Sequence, residues 1–443
     1  MEYGYMGFER GLSLVKAPGP MKQLHIVFLA VFVTVASCGM GTSSEREKVL
    51  SLKQAFSEMP SRAGGCYHSY EGNPGVDTPA PSGYKPFYIS HYGRHGSRYH
   101  TPKMLSRCYP RELERASALG MLTEEGEQVL ARMKEVYRSH EGNTGNLTPR
   151  GEREHMEIGR RMAARFPEVF AGRDSIRAIA TNYPRCQASM QAFLKGLGTS
   201  VRSLWTDSGK LYYSLLCPES EDQEVRFANV SARQNEWRAD RIDPAAMQAR
   251  LFREGFEPDS IQMVLKGIYI YGCQEEDLDF PTENSLFSFF TMDELFMQWT
   301  VYSDVVYGEI GPSQEYYDSV TCPAKGVLAH ILDQASASVW GSDVAADLRF
   351  AHDNGLVPLL SLIGVDGFTE RVSMDGAWKT WPSYERIPMA SNLQIVFYGN
   401  DEGDVLVKLL FNEKEVTIPA LQPFSCPYYR WKDLEHYFKS KVL

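Results

Sequence analysis

FYISHYGRHGSRYHTP, residues 87–102, decides the reading of this chain. Residues 87–89 are aromatic and β-branched, the end of a short buried strand. The chain then breaks at 90–93 and delivers Arg94, His95 and Arg98, with Gly96 between them. A histidine followed by glycine can present its ring at the tip of a tight turn, because glycine adopts conformations that other residues resist. The two arginines supply planar forks of N–H donors that suit the oxygens of a phosphoryl group. One reading is a histidine nucleophile in a phosphate cradle. Taken alone, R-H-G also reads as a loop of solvated charges, so the rest of the chain has to supply partners.

Two further places answer in kind. His352-Asp353 follows a short strand at 348–351 and precedes a helix, and Arg185 follows the strand SIRAIAT (175–181) near the start of NYPRCQASMQAFLKGLG. Strand, loop and helix recur at all three, which suggests a mostly parallel α/β sheet flanked by helices. Ligands of such sheets bind beyond the carboxyl ends of the strands, so loops 91–98 and 352–355 can converge on one cleft. Helix N-termini favour anions there through free N–H groups and the macrodipole.

The remaining elements follow from local signals. A helical stretch spans about 103–138, the segment 139–147 is rich in loop formers, and Thr148-Pro149 places an N-cap and a proline at the start of the next helix. From 206 to 330 the texture becomes helical, with Asp243-Pro244 opening one helix and Ser260 another. Thr291-Met292-Asp293-Glu294 there reads as a capping box before Leu295, Trp299, Tyr302 and Val306. NLQIVFYGN and DVLVKLLFNEKEV, residues 392–400 and 404–416, form an antiparallel hairpin. The expected organisation is an extension with a signal peptide at 1–37, a polar tether at 38–60, an α/β domain from 61–205 and 331–443, and a smaller α-helical insertion at 206–330.

The chain of 443 residues is long enough for one large or two moderate domains. Its net charge of −10 argues against general nucleic-acid binding and makes local arginine clusters stand out. Arg150, Arg153, Arg160, Arg161 and Arg165 crowd one helix, a field suited to a highly phosphorylated substrate. Glu152, Glu154 and Glu157 alternate with them, which favours a solvated face instead.

Met21-Lys22 and the apolar run 26–36, too short for an ordinary span, read as an export signal, with Met1 or Met21 as the start. Val35-Ala36-Ser37-Cys38 resembles a bacterial lipobox, so Cys38 is the expected lipidation site. The expected location is the periplasm or cell surface, with the membrane reached through a lipid anchor only. Besides Cys38 the sequence has Cys66, Cys108, Cys186, Cys217, Cys273, Cys322 and Cys426. Disulfides are permitted at that location but their pairing is not given by sequence. C-x-x-C and H-E-x-x-H motifs are absent, so nothing supports a zinc site.

R-H-G-x-R early, an arginine after the second strand and H-D after a later one resemble the histidine acid phosphatases, the family that holds phytases and multiple inositol polyphosphate phosphatases. The resemblance covers most of 80–440, and PLLSLIG, PMASNLQIVFY, VLVKLLFNE and PYYRW are most similar to the inositol polyphosphate phosphatase side. It implies His95 as the nucleophile that becomes phosphohistidine. It also implies Arg94, Arg98, Arg185 and His352 as ligands of the phosphoryl oxygens, and Asp353 as general acid. An α/β domain with a helical insertion is implied as well. The arginines and His352 can supply the charge neutralisation, so no metal or other cofactor is required. Two departures stand out. Tyr99-His100 follows Arg98 where the family has proline two residues on, and the chain reads H-D-N-G where the inositol polyphosphate phosphatases read H-A-E and phytases H-D-T-N.

The resulting expectation is an exported phosphatase acting on a phosphorylated small molecule, inositol polyphosphates such as phytate above all. A broad-specificity acid phosphatase shares the same residues. A phosphoglycerate-mutase-type enzyme shares R-H-G, but the export signal and the H-D pair speak against it. A surface protein that binds phosphorylated ligands without turnover would show a lost nucleophile or acid, whereas His95 and Asp353 are both present.

Overall fold

The computed structural model describes residues 43–173, 175–198 and 203–443. Cys38, the lipobox and the export signal lie outside these residues. Helix α1 (Ser43–Glu58) leads through a 3-10 segment (Pro60–Tyr67) to β1 (Lys85–Arg94). Helices α2 (Pro102–Arg107), α3 (Arg111–Ala118), α4 (Glu124–Ser139), α5 (Pro149–Arg165) and α6 (Pro167–Gly172) follow. Then come β2 (Ser175–Thr181), α7 (Pro184–Leu197) and β3 (Ser203–Gly209). The next stretch is helical throughout: α8 (Lys210–Leu216), α9 (Gln223–Arg241), α10 (Ala245–Leu251), α11 (Ile261–Gly272), α12 (Met292–Ile310), α13 (Tyr317–Thr321) and α14 (Ala324–Val339). The chain returns to the sheet with β4 (Val344–Ala351), followed by α15 (Asp353–Ile363) and α16 (Ser383–Arg386). It closes with β5 (Asn392–Gly399), β6 (Val405–Phe411), β7 (Lys414–Val416), β8 (Tyr429–Arg430) and α17 (Trp431–Val442).

The fold is mixed α/β, a central sheet flanked by helices. Strand order is β3-β2-β4-β1-β5-β6-β7, with β8 also on β6. The strands β3, β2, β4 and β1 run parallel, and β5 to β8 extend the sheet antiparallel from β1. β1 and β4 are nearly continuous apolar or buried runs, as strands covered on both faces should be. Both faces of the sheet are packed, one against a large core cluster and one against a smaller cluster built on Ile158, Phe193 and Phe350.

Several expectations shift here for physical reasons. β1 does not end at Ile89 but continues through Arg94, because 90–93 pair with β4 on one side and β5 on the other. The stretch 103–138 is three helices, interrupted at Pro110 and at Gly120, which takes φ +66. Residues 404–416 are two strands rather than one, reversed at Asn412 and Glu413, both at positive φ. The 38–60 tether is also overturned where it is described. Ser43–Glu58 is helical, with Leu52 and Phe56 buried and the Phe56 ring 5.1 Å from that of Trp299. The helical stretch runs from 210 to 339 rather than 206 to 330, since Trp205 to Gly209 pair with β2 and α14 continues to Val339. It is not a separate body: residues 44–443 form one compact unit, and α10 and α11 pack on α4. The capping signals hold. Thr148, Ser260 and Thr291 all accept from the first turn of their helices, Thr291 in a full capping box. All seven described cysteines are free thiols.

Candidate active site

The site forms where three parallel strands end side by side. β1 ends at Arg94, β4 at Ala351 and β2 at Thr181, so the loops that follow meet at one edge of the sheet. The His95 amide donates to the Ala351 carbonyl at 2.9 Å, and the Ala390 amide donates to the His95 carbonyl at 3.0 Å. These bonds hold the first turn of the loop between β4 and the segment before β5. The His95 and His352 rings then face edge-on with centroids 5.4 Å apart.

His95 is buried, and its Nδ1 lies 2.9 Å from the Gly96 carbonyl oxygen. A carbonyl only accepts, so Nδ1 carries the proton and Nε2 keeps its lone pair. Burial first, then the charges of Arg185 and Arg94, drive the ring's pKa well below the ordinary histidine value, so it is neutral. Gly96 is required by close approach: a Cβ there would sit 2.7 Å from the Gly151 carbonyl oxygen and 2.9 Å from Glu154 Oε2.

Arg94 is held from three sides. Its Nη1 donates to the carbonyls of Cys66 and Ile387 at 2.7 Å each, and its Nη2 pairs with Asp353 Oδ2 at 2.8 Å. Asp353 is the first residue of α15, and it accepts from the Asn354 amide at 2.9 Å. Burial works against its charge, but Arg94 above all, with Arg98 and the Asn354 amide, more than offsets that and holds the carboxyl below the usual aspartate range. Arg98 lies over the Tyr67 ring at 5.4 Å, and its Nη1 donates to its neighbour's carbonyl at 3.1 Å. Arg185, in the first turn of α7, lies 4.5 Å over the Tyr183 ring. The buried Nε atoms of Arg94, Arg98 and Arg185 have no partner among the described residues. Three guanidiniums against one carboxylate leave a strong positive field in front of the His95 ring.

His352 does more positioning than its sequence pattern implies. Arg185 Nη2 lies 3.4 Å from its Nδ1, and a guanidinium can only donate, so Nδ1 accepts. Nε2 then carries the proton toward Thr181 Oγ1 at 3.2 Å. Burial and Arg185 lower its pKa to about 3, so the ring is neutral. In this arrangement His352 orients Arg185. A donor role toward a phosphoryl group needs the proton on Nδ1, which the bond from Arg185 opposes.

Glu154 is the residue the pattern of charges concealed. It faces inward from α5 and accepts from the Ser97 amide at 2.7 Å, the Ser97 hydroxyl at 2.8 Å and the Tyr70 amide at 3.0 Å. It therefore clamps the loop that carries His95. Thr148 adds to the clamp, with its hydroxyl donating to the Ser97 carbonyl at 3.0 Å. Sequence gave one usable signal for Glu154: it lies six places after the Thr148 cap and one turn from Ile158, on the buried side of the helix. The five arginines of α5 do not reach the cleft. Arg150 and Arg153 pair with Asp279, Arg160 with Glu157, Arg161 with Glu413, and Arg165 with Asp77. His100, which stands in the place of the expected proline, is buried and donates from Nε2 to the Ile270 carbonyl at 3.0 Å.

Comparison with known proteins agrees with this architecture. Residues 93–250, which hold the R-H-G-x-R loop and Arg185, match the histidine phosphatase superfamily (branch 2). Multiple inositol polyphosphate phosphatase 1 of Gallus gallus is 24% identical over 447 residues, 93% of this chain and 92% of that protein. The Bifidobacterium longum multiple inositol polyphosphate phosphatase, solved in complex with inositol hexasulfate, superposes with a TM-score of 0.69 at 19% identity, covering 84% of this chain and 97% of that one. The phytase from D. castellii gives 0.66 at 14% identity over 92% and 88%. At such identities the two structures bear on the fold alone. Residues 93–250 thus match a histidine phosphatase superfamily (branch 2) domain, and the chain over most of its length is similar to a multiple inositol polyphosphate phosphatase.

Proposed function

We propose that the protein is a phosphomonoesterase that works through a phosphohistidine on His95, with inositol polyphosphates such as phytate as its substrates. The observation that carries this is the neutral His95 ring, its Nδ1 proton tied to the Gly96 carbonyl and Nε2 left to attack in front of Arg94, Arg98 and Arg185. Nε2 attacks phosphorus in line while the P–O bond to the alkoxide breaks, and the arginines neutralise the equatorial oxygens. Asp353 donates its proton to the departing oxygen. Water then attacks the phosphohistidine, Asp353 takes a proton back, and inorganic phosphate leaves with His95 restored. The inositol polyphosphate reading draws support from the names of the relatives and from the inositol hexasulfate bound in one of them.

The test is a rapid quench with radiolabelled phytate. Wild-type enzyme should yield a base-stable, acid-labile phosphoenzyme, and His95→Ala should yield none while still binding phosphate. Label that persists in the variant would move the nucleophile elsewhere, and a wild type that releases phosphate from nitrophenyl phosphate but not from phytate would overturn the substrate class.

The reading extends to location. Val35-Ala36-Ser37-Cys38 after the apolar run 26–36 supports an exported lipoprotein acylated at Cys38. Metabolic labelling with a radiolabelled fatty acid should mark the wild type and not Cys38→Ser; equal label on both would sink it.

A further inference from the structure

An aromatic pair stands where the site opens to solvent. Tyr183 precedes Pro184, the first residue of α7, and a residue before proline is pushed to extended backbone. Tyr183 accordingly takes φ −79 and ψ 130, at the N-cap of the helix, and its side chain makes no bond to the first turn. Serine, threonine, aspartate or asparagine there would supply that bond. Local rules are broken in this way at functional sites.

The ring packs on the phosphate ligands instead. Arg185 lies 4.5 Å over it, and the His352 ring meets it at right angles with centroids 5.0 Å apart. Tyr213 of α8 backs both, with its ring 5.7 Å from that of Tyr183 and 6.1 Å from that of His352. The Tyr213 hydroxyl donates to Glu219 Oε1 at 3.0 Å, which fixes the second ring in turn.

Exposure rises along this line. His95 is 3% exposed, His352 6% and Tyr183 39%. The nucleophile is therefore at the bottom of the site and Tyr183 at its rim. Asp353 directly follows His352, and its side chain is open to the cleft, 28% exposed. In-line attack by His95 Nε2 puts the departing oxygen on the far side of phosphorus from that buried ring, hence outward. The carbon skeleton of the alcohol then extends toward the rim. Two rings with a carboxylate behind them suit an uncharged hydrocarbon surface there better than a further phosphate.

We propose that Tyr183, propped by Tyr213, is a specificity-determining residue that packs against the carbon skeleton of the leaving alcohol and favours a cyclic alcohol over a small open-chain one. This rests on the phosphomonoesterase reading and narrows its substrate class. A ring offers an aromatic wall a broad, preorganised set of C–H groups, whereas a short chain offers few and must be ordered first. Contacts remote from phosphorus of this kind supply binding energy that can orient the reacting atoms.

The test compares kcat/KM for cyclohexyl phosphate and propyl phosphate. Both carry one phosphoryl group and a poor alkoxide leaving group, and they differ in the ring. Wild type should prefer cyclohexyl phosphate. Tyr183→Ala should cut that preference about tenfold, the low end of what a small apolar difference earns in a hydrophobic pocket. Tyr183→Phe keeps the ring and should keep the preference, and Tyr213→Ala, which removes the prop, should lower it in part. Truncation also takes the ring away from Arg185. A misplaced Arg185 weakens both esters alike, since they share the phosphoryl group, so that effect cancels in the ratio. Equal losses for the two esters in Tyr183→Ala, or a wild type without preference, overturn the proposal and leave Tyr183 as a support of Arg185 only. A wild type that cleaves neither ester overturns the phosphomonoesterase reading itself, and this proposal with it.

Discussion

Arg94 is the partner that keeps Asp353 ionised, at 2.8 Å, and this pair governs how the site responds to pH. A phosphoryl group competes for the same guanidinium and adds negative charge, so Asp353 holds its proton more tightly once substrate is bound. With Asp353 as the proposed general acid, turnover needs its protonated form, so activity should fall as pH rises. The fall in kcat/KM, which reports the free enzyme, should lie at lower pH than the fall in kcat. Asp353→Asn should remove both limbs. It should also slow single-turnover phosphoryl transfer from phytate by about 10²–10⁴-fold, the usual worth of a positioned general acid. Nitrophenolate leaves without a proton, so its transfer step should suffer far less. Equal losses for the two substrates would exclude Asp353 as the acid. Residues such as His95, Arg185 and Asp353 are legible in sequence because each sits at a strand end or in a first helical turn, a pattern read within a few positions. Glu154 and the carbonyls of Cys66 and Ile387 are not, because they reach the loop from other parts of the chain. The matched arginines of α5 mislead for the same reason: Asp77, Asp279 and Glu413 are their neighbours only after folding.

Helices α5 and α7 carry the two halves of the loop's support, Glu154 on one and, on the other, Ser189, whose hydroxyl accepts from the Gly96 amide at 3.2 Å, and they meet backbone to backbone. A Cβ at Gly159 would run into the Phe193 carbonyl oxygen, and one at Gly196 into that of Met156. Glycine inside a helix ordinarily costs about 0.5–1 kcal/mol relative to alanine. Here the obstacle is main chain and cannot rotate away, so the overpacking cost of about 1–3 kcal/mol wins. Gly159→Ala should therefore lower the denaturant midpoint, and by spreading α7 from α5 it should reduce kcat/KM as well. A variant as stable as the wild type would show that the helices can separate freely. Thr148→Ala belongs at the same scale. It removes an N-cap worth about 1 kcal/mol together with the bond to the Ser97 carbonyl. Its loss should appear in kcat more than in the affinity for phosphate. Caps and helix starts are readable from sequence because they are local. The extent of β1 through Arg94 is not, since pairing with β4 and β5 overrides the turn-like composition of 90–93. Helix α1 escapes for the converse reason: its surface is polar, and only Leu52 and Phe56 reveal that it packs into the core.

At the scale of the whole molecule, the α/β class and the helical interlude are legible because periodicity changes where the layers change. Their union in one unit is not, because the contacts of α4 with α10 and α11 join segments far apart in sequence. The position of β1 has a further consequence. Its ladder partners are β4 at 344–351 and β5 at 392–399, so every neighbour of the strand that ends in Arg94 is made long after it. During synthesis the ribosome must release nearly the whole chain before the middle of the sheet can close, and such distant pairings are slow to form. The growing polypeptide should stay protease-sensitive around 85–198 until β5 and β6 have emerged, then become resistant in a single step. Stalled nascent chains of increasing length, challenged with protease, would show this as one late transition; early protection of the R-H-G loop would mean that the first half folds unaided. On the export proposed above, a chain that delays closure in this way would reach a translocation channel still extended, the form in which an exported protein has to be threaded.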